Sequence, residues 1–397
     1  MLTSMLRGIV FTGVTLMLAF PAGASADDDQ SRRRAPKPVR EAAEDVFQAV
    51  SPLQIGAYGE HHFNGVEGTA GEFSDVHRFV IGIGYTFADW IQFSSELEVE
   101  HAYVNDGDGD VVLEQFLVDF QIARPFNIRA GRVLAPGSWV NMYHEPPTFH
   151  GVERPFVDQV IVPSTWSVDG VGVFGQLGRR ARYQVYVGNG LDASGFSAAS
   201  GIRGGRMKER PGFTDPAFMG RVDISLGSGR RALGMTRVGV FGYMGGANNG
   251  NKGTEPNLDV DVTLISSDLS TSISLLELKG FVALGMINNA DLLAGVAEEF
   301  FGYSVEGAVD VLPRVWKSGK LEEAQFYIFS RFERYDTQYK MPDGVMPDEQ
   351  YNRTAITSGI TFLPVPKLAV KADYQVLDNA SDNDPANAVN LGIGWMF

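Results

Sequence analysis

Asn387-Ala-Val-Asn-Leu-Gly-Ile-Gly-Trp-Met-Phe397 closes the chain, and its pattern decides how everything before it is read. Val389, Leu391, Ile393, Trp395 and Phe397 fall on one face of a strand, and Asn390, Gly392, Gly394 and Met396 on the other. Side chains alternate across a strand, so one face is apolar and the other small or polar. An ordinary edge strand ending here would leave a row of unpaired hydrogen-bonding groups. The pattern instead predicts lipid on one side, a lumen on the other, and a first strand to close against.

The opposite end agrees. Met1–Ala26 reads as a secretory signal: Arg7 is its only charge, Gly8–Phe20 is apolar, and Ala24-Ser25-Ala26 supplies a small-residue cleavage site. The apolar run is short for a spanning helix. Residues 27–52 carry mixed charge and prolines and are expected to be a periplasmic segment, either a solvated tail or a short helix over Arg40–Val50. Cysteine is absent, so export brings no disulfides. Mean hydropathy is -0.06, the dilution expected where apolar and polar residues alternate along strands. The net charge is -15, and loss of Arg7 with the signal makes it -16, which argues against nucleic acid as a partner.

From Leu53 to Phe397 the alternation recurs in sixteen stretches. Phe79, Ile81, Ile83, Tyr85 and Phe87 share one face of the second. In the third, Gln92, Ser94, Glu96, Glu98 and Glu100 lie opposite Phe93, Leu97 and Val99. The tenth and eleventh are expected at Leu258–Ile265 and Ser272–Ile287, joined by a turn at Ser266–Thr271; the register is ambiguous in Ser272–Ile287 and in the ninth, Thr236–Gly245. Short connections, such as Ala88–Trp90 and Ala123–Pro125, alternate with long ones, such as Ala135–Trp166 and Gly190–Pro216. A soluble sandwich has no reason for this parity. A transmembrane antiparallel β-barrel of about sixteen strands does, with short turns in the periplasm and long loops outside. The expected organisation is residues 1–26 signal peptide, 27–52 periplasmic segment and 53–397 barrel.

The longest connection, Ala135–Trp166, carries Trp139, Tyr143, Phe149, Phe156, Val160 and Ile161, which need a surface to pack on. Either it lies on the outer rim or, as expected here, this third extracellular loop folds inward and narrows the channel. Gly131-Arg132, Pro136, Glu153-Arg154, Pro163, Gly170–Gly172, the Arg331-Phe-Glu-Arg-Tyr-Asp336 stretch and the terminal Phe397 together resemble the phosphate-selective porin O and P family. That resemblance implies a trimer of sixteen-stranded barrels with an inward third loop. Trp395 and Phe397 are similar to the assembly signal read by the barrel-insertion machinery.

Anion selectivity does not follow. No lysine occurs between Pro52 and Gly170, and the loop carries Glu145, Glu153 and Asp158 against Arg154. Glu96, Glu98 and Glu100 form either a cation-attracting stripe or a lumen wall neutralised by neighbouring arginines. Arg129 and Arg132 lie at the loop's root, one of them facing the lumen. Asn105–Asp110 is acidic, but Leu117 stands where an EF-hand needs glutamate, so a turn is expected. Gly170, Gly172 and Gly175 precede no helix, which excludes a nucleotide loop. The six histidines show no metal-site spacing, and no nucleophile has a paired base, so neither cofactor nor enzymatic activity is expected. The expected function is passive diffusion of small hydrophilic solutes or ions across the outer membrane, with weak cation preference. The alternative is a barrel scaffold whose surface loops bind a partner.

Overall fold

A computed structural model describes residues 52–68, 73–101, 109–207, 209–227, 235–249, 258–383 and 385–397. Residues 1–51, on which the expected signal peptide and nearly all of the expected periplasmic segment fall, and most of the Asn105–Asp110 stretch lie outside the described residues. Sixteen strands form the wall. They are β1 (Leu53–Val66), β2 (Phe73–Ala88), β3 (Ile91–Glu100), β4 (Val111–Ala123), β5 (Phe126–Leu134), β6 (Ser167–Leu177), β7 (Ala181–Asn189) and β8 (Pro216–Leu226). There follow β9 (Met235–Gly246), β10 (Asp261–Ile273), β11 (Leu276–Asn288), β12 (Glu299–Asp310), β13 (Gln325–Lys340), β14 (Asn352–Val365), β15 (Leu368–Asn379) and β16 (Ala388–Met396).

Each strand pairs antiparallel with its sequence neighbours, and β16 closes on β1. The seam runs to the last residue: the Phe397 N–H donates to Ala57 O at 2.8 Å, and the Ala57 N–H returns to Phe397 O at 3.1 Å. Closure removes both edges, so every ladder group along the seam has a partner. The outward residues of β16 are those the alternation named, with Val389, Leu391 and Ile393 exposed. Trp395 stacks on Phe397 at 5.6 Å on the same surface. Near the short turns the outer surface carries Tyr85, Phe87, Trp90 and Phe126, all exposed. Aromatic rings at that level and aliphatic side chains between the rims are what a barrel presents to a bilayer.

Two connections differ from expectation. β10 and β11 meet at Ser274–Leu275, with Ser274 in the left-handed region at φ 59°, and the expected turn at Ser266–Thr271 lies inside β10. Its polar run suggested a turn, but Ser266 and Asp268 are buried lumen-side residues held by partners inside the barrel. The β12–β13 connection is longer than the other short-side turns and folds into two single-turn helices, Arg314–Trp316 and Gly319–Leu321.

The hydrophobic core lies inside the barrel. Val133, Trp166, Tyr186, Phe241, Tyr243 and Phe300 cluster on the inner wall from β5 to β12. Val157, Ile161 and Val162 of the third long loop complete it, with Leu191, Phe196 and Ile202 of the fourth. An open aqueous tube has no such cluster; here the loops fill one side of the lumen.

Candidate functional site: a loop clamped across the lumen

The third long loop, residues 135–166, crosses the barrel interior as expected. Its neck is closed by Asn141. Nδ2 of that residue donates to Ala135 O at 2.6 Å, and its Oδ1 accepts from the Trp166 N–H at 3.0 Å. Two short helices follow, α1 (Trp139–Met142), capped by Ser138, and α2 (Phe156–Val160). A loop buried this way must satisfy its backbone groups. The wall does so with charged side chains. Asp373 on β15 accepts from the Val152 N–H at 2.6 Å, and Glu333 on β13 accepts from the Val157 N–H at 3.1 Å. Arg78 on β2 donates to His144 O at 2.5 Å, and Arg331 on β13 to His150 O at 3.3 Å. Bonds to charged partners contribute about 1.5–3 kcal/mol each, so several together hold the loop firmly.

The wall also makes room. Gly392 and Gly394 are the small residues on the inner face of β16. A Cβ at Gly392 would sit 3.0 Å from Val152, and one at Gly394 would collide with Pro146. The fourth long loop, residues 190–215, seals the third from the long-loop side. Arg203 donates to Gln159 O at 2.8 Å and Arg206 to Ser164 O at 2.5 Å, while Thr337 on β13 donates to Ala198 O at 2.5 Å. Sequence reading placed this loop outside. Its signal was the apolar set Leu191, Phe196 and Ile202 amid glycine, a weaker cue than the aromatics of the third loop.

Several arginines of the wall are committed to carboxylates; Arg237 on β9 instead lies over the Trp139 ring. Arg129 pairs with Asp119 in a fork at 2.7 Å, Arg78 with Glu60 at 2.5 Å, and Arg221 with Asp223 and Asp268 at 2.8 and 2.7 Å. Arg331 is held by Glu306 and Glu333 at 3.2 and 2.8 Å. Arg129 faces the lumen beside Asp119; Arg132, across the ladder from outward Phe116, is held by Asp169 at 2.6 Å and borders the small cavity near Glu98 and Glu114.

Opposite the apolar core, the β1–β4 arc is polar and acidic. Glu96, Glu98 and Glu100 stand in line on the inner face of β3, and Glu98 is buried. Glu114 on β4 joins them. At the β3–β4 register shift Gln115 opposes Glu96 and Leu113 opposes Leu97, so Glu114 is the extra residue. Strict alternation back from inward Asp119 points Glu114 outward; the bulge turns it in. Glu114 meets His144 of the loop at 3.3 Å, and Tyr58 of β1 bonds His144 Nε2 at 2.8 Å. Glu145 follows at the loop's turn. Glu153 meets His62 of β1 at 3.1 Å; burial alone would raise its carboxyl, but the His62 hydrogen bond together with the charges of His62 and His77 holds it down at about 2. Arg154 reaches Ser164 at 3.2 Å. Asp158 is buried on α2, toward the apolar side.

Below the loop, toward the short turns, lie two cavities of about 350 and 310 Å³. The first lies between Phe149, Thr236 and Lys279, and the second beside Arg129, Phe174 and Gln184. Above it, Glu98, Glu100, Glu114, Arg203 and Arg206 line a smaller one of about 90 Å³.

No known family profile matches the chain. An uncharacterised protein of Aquifex aeolicus is 28% identical over 373 residues, covering 90% of this chain and 82% of that one. Among solved structures, OprB of Pseudomonas putida superposes with a TM-score of 0.57 at 11% identity, covering 90% of this chain and 96% of that one. OmpF of Salmonella typhi gives 0.56 at 11%, with 87% and 97% covered. OmpT of Vibrio cholerae in its trimer form gives 0.53 at 12%, with 87% and 99% covered. The chain thus has the sixteen-stranded antiparallel barrel fold of these outer-membrane proteins.

Proposed function

We propose that the chain is an outer-membrane porin of a Gram-negative bacterium, exported by a cleaved signal peptide. In this reading it assembles as a homotrimer and passes small hydrophilic solutes or ions by passive diffusion. The apolar outer surface supports a bilayer setting, and the likeness to the OmpT trimer supports the assembly. The observation that carries the reading is the third loop: charged wall groups seat it across the lumen, leaving one polar arc beside it. Charge near such a constriction sets selectivity, because more distant exposed charge is screened beyond about 10 Å at 0.1 M salt.

The polar arc leans acidic, which favours weak cation preference. The resemblance to phosphate-selective porins extends to the barrel and the inward loop. A phosphate site needs arginines free to fork onto the anion. Four arginines of the wall, Arg78, Arg129, Arg221 and Arg331, already hold carboxylates, whereas Arg182 and Arg237 line the larger cavity with Lys279. Reversal potential across a salt gradient in a planar bilayer is the test. Cation selectivity is expected; an anion-selective channel blocked by micromolar phosphate would restore the family's function. The second reading, a scaffold whose loops bind a partner, draws on the fourth loop, which packs over the third from the long-loop side. Absence of any conductance from a correctly folded barrel would favour it.

A further inference from the structure

Four of the chain's six histidines occur on β1, β2 and the end of β3, and three of them meet at the long-loop rim. The register joins residues far apart in sequence. Between Glu60 and His62, β1 advances two residues while β2 advances three, from Arg78 to Asp75. The extra residue on β2 brings His77 round beside Arg78, so that its ring stacks on His62 at 4.6 Å. His101, left-handed at φ 57° just past β3, closes over them with its ring 5.5 Å from His77. Asp75 ties the pair, 2.7 Å from His101 Nδ1 and 3.5 Å from His77 Nδ1. The donor atoms of Asp75, His77 and His101 all lie within 4.8 Å of one another. Donors around tetrahedral zinc are about 3.3 Å apart for bonds of about 2.0–2.1 Å. Small side-chain rotations bridge that difference.

A second set lies deeper on the same wall, where Glu96 sits opposite Gly82. That is five residues along β2 from His77, or roughly 16 Å at about 3.3 Å per residue. Glu96, Glu114 and His144 bring their donors within 4.8 Å of one another. Glu96 Oε2 and Glu114 Oε1 are buried with no hydrogen-bond partner, and Glu114 is only 1% exposed. Glu98 Oε1 and Glu145 Oε2, nearby, are in the same state. Buried carboxylate oxygens without donors are costly, and a cation among them removes that cost. The arginines at hand do not supply these oxygens with donors: Arg78 holds Glu60 and the His144 carbonyl and leaves its Nη1 unbonded, and Arg154 bonds Ser164.

We propose that the β1–β4 wall carries two binding stations for a borderline divalent transition-metal cation such as zinc, at Asp75–His77–His101 on the rim and Glu96–Glu114–His144 at the constriction. The donor chemistry selects the metal. Calcium and magnesium take oxygen ligands, whereas mixed imidazole and carboxylate sets suit zinc and its neighbours. Each station offers three protein donors, which leaves a fourth position open to water and keeps the ion exchangeable. Two exchangeable stations along one wall are the arrangement expected for capture and passage. The sites stand on their own geometry; passage between them rests on the porin reading.

Calorimetric titration of the full-length protein in detergent with zinc chloride, and separately with magnesium chloride, tests this. Two zinc ions per chain are expected, and no magnesium binding at the same concentrations. His77→Gln or, should that variant misfold, His101→Gln, which lies outside the strands, should reduce the stoichiometry to one. Glu114→Gln or Glu96→Gln should remove the other. In bilayers, micromolar zinc should reduce the potassium current of the wild type and do so less in Glu114→Gln. Absence of zinc binding, or a stoichiometry unchanged by both pairs of variants, overturns the proposal. Two bound zinc ions on a barrel that never conducts support the stations and overturn the porin reading instead.

Discussion

Gly394 on β16 lies directly against Pro146 of the third loop, so close that a single methyl group on the glycine would overlap the proline ring. The inner face of the terminal strand is small because the loop rests on it. Gly394→Leu should therefore unseat this part of the loop. Overpacking costs about 1–3 kcal/mol where the neighbour cannot give way. The loop can move, so the barrel should remain folded by heat-modifiable migration while single-channel conductance rises. Unchanged conductance in a folded variant would mean that Pro146 does not bound the pathway.

Removal of Tyr143–Val160 should widen the channel further, since it deletes α2 and the Val152 and Val157 anchors on Asp373 and Glu333. The gain is expected to be partial. Arg203 and Arg206 bring the fourth loop over the same space, so shortening residues 193–205 as well should raise conductance again. A deletion that leaves the current unchanged would place the conducting path elsewhere.

Replacement of Glu96, Glu98 and Glu100 by glutamine should shift the reversal potential toward anions. Glu98 is buried beside the constriction, and Glu114→Gln should add to the shift. Arg129→Gln should move selectivity less, because its charge is already matched in a fork with Asp119. Equal shifts from Glu100→Gln and Arg129→Gln would contradict this division between the fork-paired arginine and the acidic arc.

The barrel was legible because apolar and polar residues alternate along most of the strands; the site was legible only where that period held. Glu96, Glu98 and Glu100 were found, since β3 alternates cleanly along them. Glu114 and His77 were missed for one reason: each sits at a bulge, where one extra residue reverses the parity on which the reading depends. The Ser266–Thr271 stretch was misplaced because serine and threonine serve equally in a turn and on a wall that clamps a loop; only the partner, Gly137 O for Ser266, distinguishes them. The histidine cluster has no linear spacing because it spans three strands.

Deletion of Phe397 should lower the amount of barrel assembled in the outer membrane. The residue contributes two backbone hydrogen bonds to Ala57 across the seam and a ring stacked on Trp395. Loss of the seam bonds alone predicts reduced stability of the purified barrel. Loss of an assembly signal predicts reduced membrane levels even when the refolded barrel is stable. Comparison of the membrane fraction with the refolded protein separates the two effects: wild-type levels of heat-modifiable barrel in the membrane would rule out the assembly signal, and wild-type stability of the refolded barrel would rule out the seam effect.

Asp158 gives the loop a pH dependence. It is buried on α2, and its Oδ1 lacks a hydrogen-bond partner. Burial pushes its carboxyl up from 3.8 to about 7; the nearby charges of Glu333 and Asp268 push the same way, against a hydrogen bond from Ser138 and the charge of Arg331. Between about pH 4 and about pH 7 the folded protein therefore keeps a proton that the unfolded chain has lost. Stability should fall as pH rises through that window and level off above it, by a few kcal/mol at most at about 1.4 kcal/mol per pKa unit. Above about pH 7 the charged carboxylate faces Glu333, whose own oxygen anchors the Val157 N–H, so the loop should loosen there. Asp158→Asn removes the titration. Its unfolding midpoint in urea should change less than the wild type's between about pH 5 and about pH 8, and its open-channel noise at the higher pH should be lower. Identical pH slopes in the two proteins would show that Asp158 is ionised throughout and that the loop is not pH-sensitive at this residue.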